Sequence, residues 1–204
     1  MMATTHALAG MALASVTVLV APEHAPTAMV AAAAGGVVPD LDLYGAHRRT
    51  LHYPVYYTVA TAAAVVLALL VPTTLAVVLV AGLGAAALHS LMDVLGGGLE
   101  LRPWEATSER AVYDHWRGRW LRPRRWVRYD GAPEDLLLAG ALAAPTALLS
   151  SGSVRTATLA LLAVSVGYAL VRKPLVALAE HVVVALPSPV VERLPDRLTK
   201  DFVG

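Results

Sequence analysis

The chain has 204 residues, of which 57% are hydrophobic and 15% are charged, and its mean hydropathy is +0.60. Soluble domains carry about 25% charged residues, so this composition favours lipid over water as the surrounding solvent. The chain contains no cysteine, which excludes disulfides and leaves His, Asp and Glu to hold any metal ion. A formal net charge of +1 argues against a general nucleic-acid-binding surface, so we expect no nucleic-acid partner.

Apolar runs in the sequence predict an all-α fold: a polytopic integral membrane bundle of about six short helices. The runs are Ala7–Val20, Thr27–Val38, Val55–Val71, Thr74–Leu95, Asp135–Leu149 and Val154–Val171. No basic residue precedes the first run, which we interpret as a retained helix rather than a signal peptide. Leu175–Leu186 lies between two prolines and carries two polar residues, which predicts a C-terminal interfacial helix.

Long charged connections alternate with short, nearly uncharged ones along the chain. The charged connections are residues 39–54, residues 96–133 and the tail from residue 172. By the positive-inside rule they face the cytoplasm, which predicts a multi-pass protein of the cell (inner) membrane. Residues 1–204 then form a single membrane-embedded domain. Its parts are helices and loops with the candidate site (1–104), a basic cytoplasmic loop (105–133), and C-terminal helices with a tail (134–204).

Potential metal ligands gather at the predicted cytoplasmic ends of four separate segments. The seven candidates are His6, Asp40, Asp42, His47, His52, His89 and Asp93. Ionisable groups within apolar helices are costly and usually functional, so their convergence indicates a site rather than chance.

Two local patterns support this interpretation. His89 and Asp93 are four residues apart, which places both side chains on one helix face. An extended backbone at Asp40-Leu41-Asp42 would direct both carboxylates to one side. The alternatives are an interhelical hydrogen-bonding pair for the first pattern and solvated loop acids for the second.

The segment from His47 to His52 places two histidines around Arg48 and Arg49. The guanidinium group fits phosphate or carboxylate, so either arginine could hold an anionic substrate. The alternative is a basic loop that meets anionic lipid headgroups. Three acids remain as general-base candidates that spacing does not separate: Glu100, Glu105 and Glu109. His24 is predicted to lie at the opposite end of the bundle.

These motifs together resemble the YdjM-like family of membrane-bound metal-dependent hydrolases. The matching residues are His6, Pro39-Asp40-Leu41-Asp42, His47-Arg48, His52, His89, Asp93, Gly98 and Pro103-Trp104. The resemblance covers about the first half of the chain, and its motifs are specific in their order and spacing. The chain departs from the family pattern at Arg49, Leu51, Tyr53 and Gly96, none of which is a candidate ligand.

The resemblance implies a metal-dependent hydrolase, and a site near the bilayer surface favours a phosphoester or lipid-like substrate. We assign His6, Asp42, His52, His89 and Asp93 as ligands of one or two divalent ions, Zn²⁺ first and Mn²⁺ as the alternative. Asp40, His47 and Arg48 are assigned as catalytic or supporting groups. The rival hypotheses are a non-catalytic protein that binds a metal or recruits a partner and, third, a transporter.

Overall fold

A computed structural model of the chain, which describes residues 1–191 and 193, is mainly helical. The helices are α1 (Ala3–Ala14), α2 (Thr17–Val20), α3 (Ala25–Gly35), α4 (Pro54–Leu70), α5 (Thr74–Leu95), α6 (Pro133–Leu149), α7 (Gly152–Ala185) and α8 (Ser188–Val191). The predicted helical class is thereby confirmed. Two short antiparallel strands, β1 (Tyr113–Asp114) and β2 (Arg119–Trp120), interrupt the loop between α5 and α6. Residues 192 and 194–204, at the end of the tail predicted from residue 172, lie outside the described residues.

Among the described residues, three helical stretches are long and apolar enough to cross a membrane. They are Ala3–Val20, Thr74–Leu95 and Gly152–Ala185, whereas Pro54–Leu70 is apolar but shorter. The prediction for the C-terminal region was wrong in one respect, because α7 continues through Pro174 instead of ending before it. Proline removes one backbone N–H and tends to kink a helix, but here the helix continues on both sides of it. There is therefore no separate interfacial helix at Leu175–Leu186.

Helix α1 lies at the centre of the bundle, where it packs against α3, α5, α6 and α7. Leu8 is completely buried, and so are the polar side chains of Thr5 and His6. A helix that is buried on all faces places its polar residues inside the protein, where each needs a partner. His6 is therefore an interior residue rather than an incidental one near the start of the chain.

Small residues bring the backbones of α1, α3 and α5 into close contact. A Cβ atom added to Gly10 would collide with the carbonyl of Ala32, and one added to Gly35 would collide with the carbonyl of Gly82. Alanines fill the core around these contacts. Close packing through small residues is the usual mode of helix association in lipid, and here it brings the ends of α1, α3 and α5 together.

The two ends of the bundle differ in character. At one end, the Met1 ammonium donates to Asp93 near the end of α5, and Arg48, in the loop after α3, donates to the carbonyl of Gly97 in the loop after α5. At the other end, short connections meet, with His24 beside Thr74. The predicted gathering of charged connections at one end of the bundle, and of short ones at the other, therefore agrees with the structure.

Candidate metal centre

Three segments bring the candidate ligands together. A 3-10 helix at Val38–Tyr44 carries Asp40 and Asp42, the following loop carries His52, and α5 carries His89 and Asp93. The prediction of an extended backbone at Asp40-Leu41-Asp42 was wrong. In a 3-10 helix each residue turns about 120° from the last, so the two carboxylates face different partners.

Four side-chain atoms meet in a small buried space. They are Oδ1 of Asp40, Nε2 of His52, Nε2 of His89 and Oδ2 of Asp93, all within 4.8 Å of one another. Nε2 of His52 lies 3.1 Å from Nε2 of His89 and 3.2 Å from the Asp93 oxygen. Both histidines and Asp93 are almost completely buried. This group of two histidines and two aspartates is able to bind a metal ion.

The proton positions of the two histidines follow from their outer contacts. Nδ1 of His89 lies 2.7 Å from the carbonyl oxygen of Gly36, and Nδ1 of His52 lies 3.0 Å from the carboxylate of Asp42. Carbonyl and carboxylate oxygens accept hydrogen bonds, so each Nδ1 carries the proton and donates it. In the neutral imidazole each Nε2 then presents a lone pair to the cluster, which is the tautomer that a metal ligand needs.

With both imidazoles neutral, the cluster consists of four acceptors with no donor of its own. Acceptors at these distances repel one another unless a cation or shared protons lie between them. The ligands of a tetrahedral Zn²⁺ ion lie about 2.0 Å from it and hence roughly 3.3 Å from one another. Five of the six separations within the cluster run from 3.1 Å, between the two histidines, to 4.0 Å, between Nε2 of His52 and Asp40. The sixth, between the two carboxylates, is within 4.8 Å. The residues present therefore fit a small divalent ion.

Asp42 lies beside the cluster rather than in it, which differs from its predicted role as a ligand. Its two carboxylate oxygens contact Nδ1 of His52 and, at 2.8 Å, Nδ1 of His47. Burial alone would raise the pKa of the Asp42 carboxyl, but the hydrogen bonds from His47 and His52 lower it below its usual value. Asp42 is therefore ionised and orients His52, while Asp40 takes the position among the four that was predicted for Asp42.

His6 and Arg48 approach the same carboxylate from outside the cluster. Nε2 of His6 lies 3.0 Å from Oδ1 of Asp93, and its ring stacks on His89 with centroids 3.8 Å apart. Nε of Arg48 lies 3.3 Å from Oδ2 of Asp93, and its Nη1 donates to the carbonyl of Gly97. His6, predicted as a ligand, is thus in contact with the ligand group through Asp93 without being one of the four.

A cavity of about 470 Å³ lies against the cluster. The three residues predicted to be catalytic, Asp40, His47 and Arg48, all line it. Its other polar lining residues include Glu100, Asp130, Tyr168 and Arg172, and its apolar ones include Met2, Leu43, Leu99, Leu101 and Val164. This volume lies within the range of about 300–1,000 Å³ that is typical of small-molecule sites.

Sequence reasoning missed three contributors to the site. The carbonyls of Gly36 and Gly97 bind His89 and Arg48, but backbone atoms leave no signal in residue type. Asp135 accepts hydrogen bonds from the backbone N–H of Met2 and the hydroxyl of Thr5, both at 2.8 Å. Its place in the first turn of an apolar helix was the available signal, because a buried acid there needs partners.

The remaining histidines lie away from the cluster. His24 is at the opposite end of the bundle, as predicted, and His181 contacts the carbonyl of Ala177 on its own helix. His115 packs against Tyr53 and Tyr113.

Comparison of the chain with models of protein families, with curated proteins and with solved structures found no match. The resemblance to the YdjM-like family therefore stays a prediction from residue patterns.

Proposed function

We propose that this protein is a membrane-bound, metal-dependent hydrolase that acts on a phosphoester or lipid-like substrate. The observation that carries the proposal is the buried group of four acceptors, Asp40, His52, His89 and Asp93, placed against a cavity of about 470 Å³. A structural metal needs no such neighbouring space, whereas a substrate does. Zn²⁺ suits this ligand set, and Mn²⁺ is the alternative.

A divalent ion held at this site supplies Lewis-acid chemistry, which activates water and polarises a phosphoryl oxygen. The chain's own groups then position the reactants and move protons. Arg48 lines the cavity beside Asp93, where its guanidinium would offset the charge of a phosphate. His47 also lines the cavity, and Asp42 holds its Nδ1, which leaves Nε2 to exchange a proton with a reactant.

The surface of the protein supports a position in the membrane. Large apolar side chains are exposed along the helices, with Leu69 at 79%, Leu148 at 83% and Leu170 at 73% exposed. Such a surface is unfavourable in water and favourable in lipid. The arginine-rich loop between α5 and α6 lies at the same end as the metal centre, so the positive-inside rule favours a site at the cytoplasmic face.

The first experiment measures bound metal and hydrolysis on one preparation. The protein is purified in mild detergent, and its metals are quantified by mass spectrometry beside the variant His89→Ala/Asp93→Ala. We expect near-stoichiometric metal in the wild type, little in the variant, and hydrolysis of a phosphodiester or phospholipid only in the wild type. The variant His24→Ala, at the far end of the bundle, should behave as the wild type.

A second function is also open to test, because the cluster already offers four protein ligands. Four ligands close a tetrahedral zinc site, as in structural rather than catalytic centres. The protein would then bind a metal for stability or recruit a partner through the basic segment Arg117–Arg128. Stoichiometric metal together with no hydrolysis of any phosphoester or lipid would favour this second function and refute the first.

A further inference from the structure

Glu100 lies in the wall of the cavity beside the metal centre. Both of its carboxylate oxygens are buried, and neither has a hydrogen-bond partner among the described residues. Buried carboxylates in proteins are normally bound by a cation or by several N–H or O–H donors. Within the part of the chain that the structure describes, Glu100 is therefore an acceptor without a partner.

The other charged groups that line the cavity are already matched. The Met1 ammonium and Arg48 lie beside Asp93, Arg172 pairs with Asp130, Nδ1 of His47 donates to Asp42, and Asp40 belongs to the metal centre. The hydroxyl of Tyr168 also donates to Asp130. Glu100 is left as the charge in the cavity lining, within the described part of the chain, that has no counter-charge.

The position of the Glu100 carboxylate depends on Gly98. A Cβ atom at residue 98 would collide with the Glu100 carboxylate and with Ser108, so only glycine leaves room for this arrangement. The two other acids of the loop differ from Glu100. Glu105 and Glu109 are exposed at the surface, where arginines pair with them.

We propose that Glu100 binds a cationic group, a primary ammonium, on the phosphoester that occupies this cavity. The proposal rests on the proposed function, since it assigns the substrate class of the same site. A phosphate beside Arg48 and an ammonium beside Glu100 would match both charges of a zwitterionic headgroup. The apolar lining at Leu99, Leu101 and Val164 suits the carbon chain that such a lipid carries next to its headgroup.

Binding, rather than turnover, tests this inference. Zinc-loaded protein in detergent is titrated calorimetrically with dihexanoyl phosphatidylethanolamine, with dihexanoyl phosphatidylglycerol and with free phosphoethanolamine. The glycerol headgroup of phosphatidylglycerol offers hydroxyl donors in place of the ammonium. Comparing the two lipids therefore distinguishes a preference for positive charge from a preference for hydrogen-bond donors. The variants are Glu100→Gln, which keeps the shape and removes the charge, and Glu109→Gln as the exposed control.

We expect the wild type and Glu109→Gln to prefer the ethanolamine lipid by about tenfold in Kd, and Glu100→Gln to lose that preference. Unchanged zinc content in Glu100→Gln would show that its metal centre is intact. If free phosphoethanolamine binds the wild type more tightly than it binds Glu100→Gln, the headgroup alone is the ligand. If only the lipid binds, the acyl chains are required as well. Equal binding of both lipids, binding of neither, or a preference that survives in Glu100→Gln would overturn the inference, whatever the outcome of the hydrolysis assay.

Discussion

The hydroxyl of Thr5 donates a hydrogen bond of 2.8 Å to the carboxylate of Asp135, a residue 130 positions further along the chain. The same carboxylate accepts the backbone N–H groups of Met2 and Gly131. These contacts fix the first turn of α1 against the start of α6. Because His6 follows one residue after Thr5, Asp135 also fixes the distance between His6 and the metal centre.

We expect Asp135→Asn to weaken zinc binding by about tenfold and to lower the free energy of unfolding by about 1–3 kcal/mol. The amide keeps the shape of the carboxylate but cannot accept from all three donors, so α1 shifts and takes His6 with it. Zinc competition with a chelator and thermal unfolding in detergent measure the two effects. Glu134→Gln is the matched control, since Glu134 is the neighbouring residue and binds Arg128 near the surface. Zinc affinity equal in the two variants would contradict this role of Asp135.

The two aspartates of the 3-10 helix should respond differently to substitution. Asp40→Asn removes one of the four acceptors, and we expect stoichiometric zinc binding to be lost. Asp42→Asn leaves the four acceptors in place but weakens the hydrogen bond that orients the His52 ring. This should reduce zinc affinity by about 10–100-fold. Zinc titration of both variants against the wild type measures the difference. A larger loss in Asp42→Asn than in Asp40→Asn would support the assignment made from the sequence over the one made from the geometry.

Zinc binding should also weaken in mild acid. Imidazole binds a metal only in its neutral form and carboxylate only in its ionised form, so protons compete with the ion. We expect affinity to fall at least about tenfold between about pH 7.5 and about pH 5.5, the range in which histidines generally gain a proton. Chelator competition at a series of pH values measures this, with circular dichroism to establish that the helices persist. An affinity that is constant across this range would argue against histidine ligands.

Close helix packing predicts an unequal response to the same substitution at two helical glycines. A Cβ at Gly35 would collide with the backbone of Gly82, so we expect Gly35→Ala to destabilise the protein by about 1–3 kcal/mol or more. A Cβ at Gly140 would meet no atom within 4 Å, so Gly140→Ala should leave stability unchanged or raise it by up to about 1 kcal/mol. Thermal unfolding in detergent compares the two. Similar melting temperatures for both variants would mean that α3 and α5 are not in close contact.

Some of the fold can be predicted from the sequence because the signals are local. The apolar run Thr74–Leu95 predicts helix α5 with the bounds it has, since Pro72 precedes it, Thr73 caps it through a bond from Ala76, and glycines follow it. The convergence of His52, His89 and Asp93 also follows from the alternation of short and long connections. The first result depends on signals within a few residues of the helix ends, and the second on the order of the connections along the chain.

Other features depend on tertiary contacts that residue type does not encode. One such feature is the 3-10 helix, which places Asp40 in the metal centre and Asp42 beside it. Acids at alternating positions fit an extended strand as well as a 3-10 helix, so the sequence does not distinguish the two. The passage of α7 through Pro174 is another, since proline is a common end signal but not an obligatory one. The carbonyl of Gly36, which fixes the proton of His89, is a backbone atom that any residue would provide.

All four atoms of the metal centre belong to residues 40–93, whereas Tyr168 and Arg172, which line the neighbouring cavity, belong to α7. A ribosome therefore completes the ion-binding half of the protein before it makes the helices that cover it. A metal ion would be able to reach these four atoms during this interval, and its binding would fix the loop after α3 to α5 while the chain is still growing. Metal supply during translation, rather than exchange into the finished protein, would then determine how much of the protein is loaded.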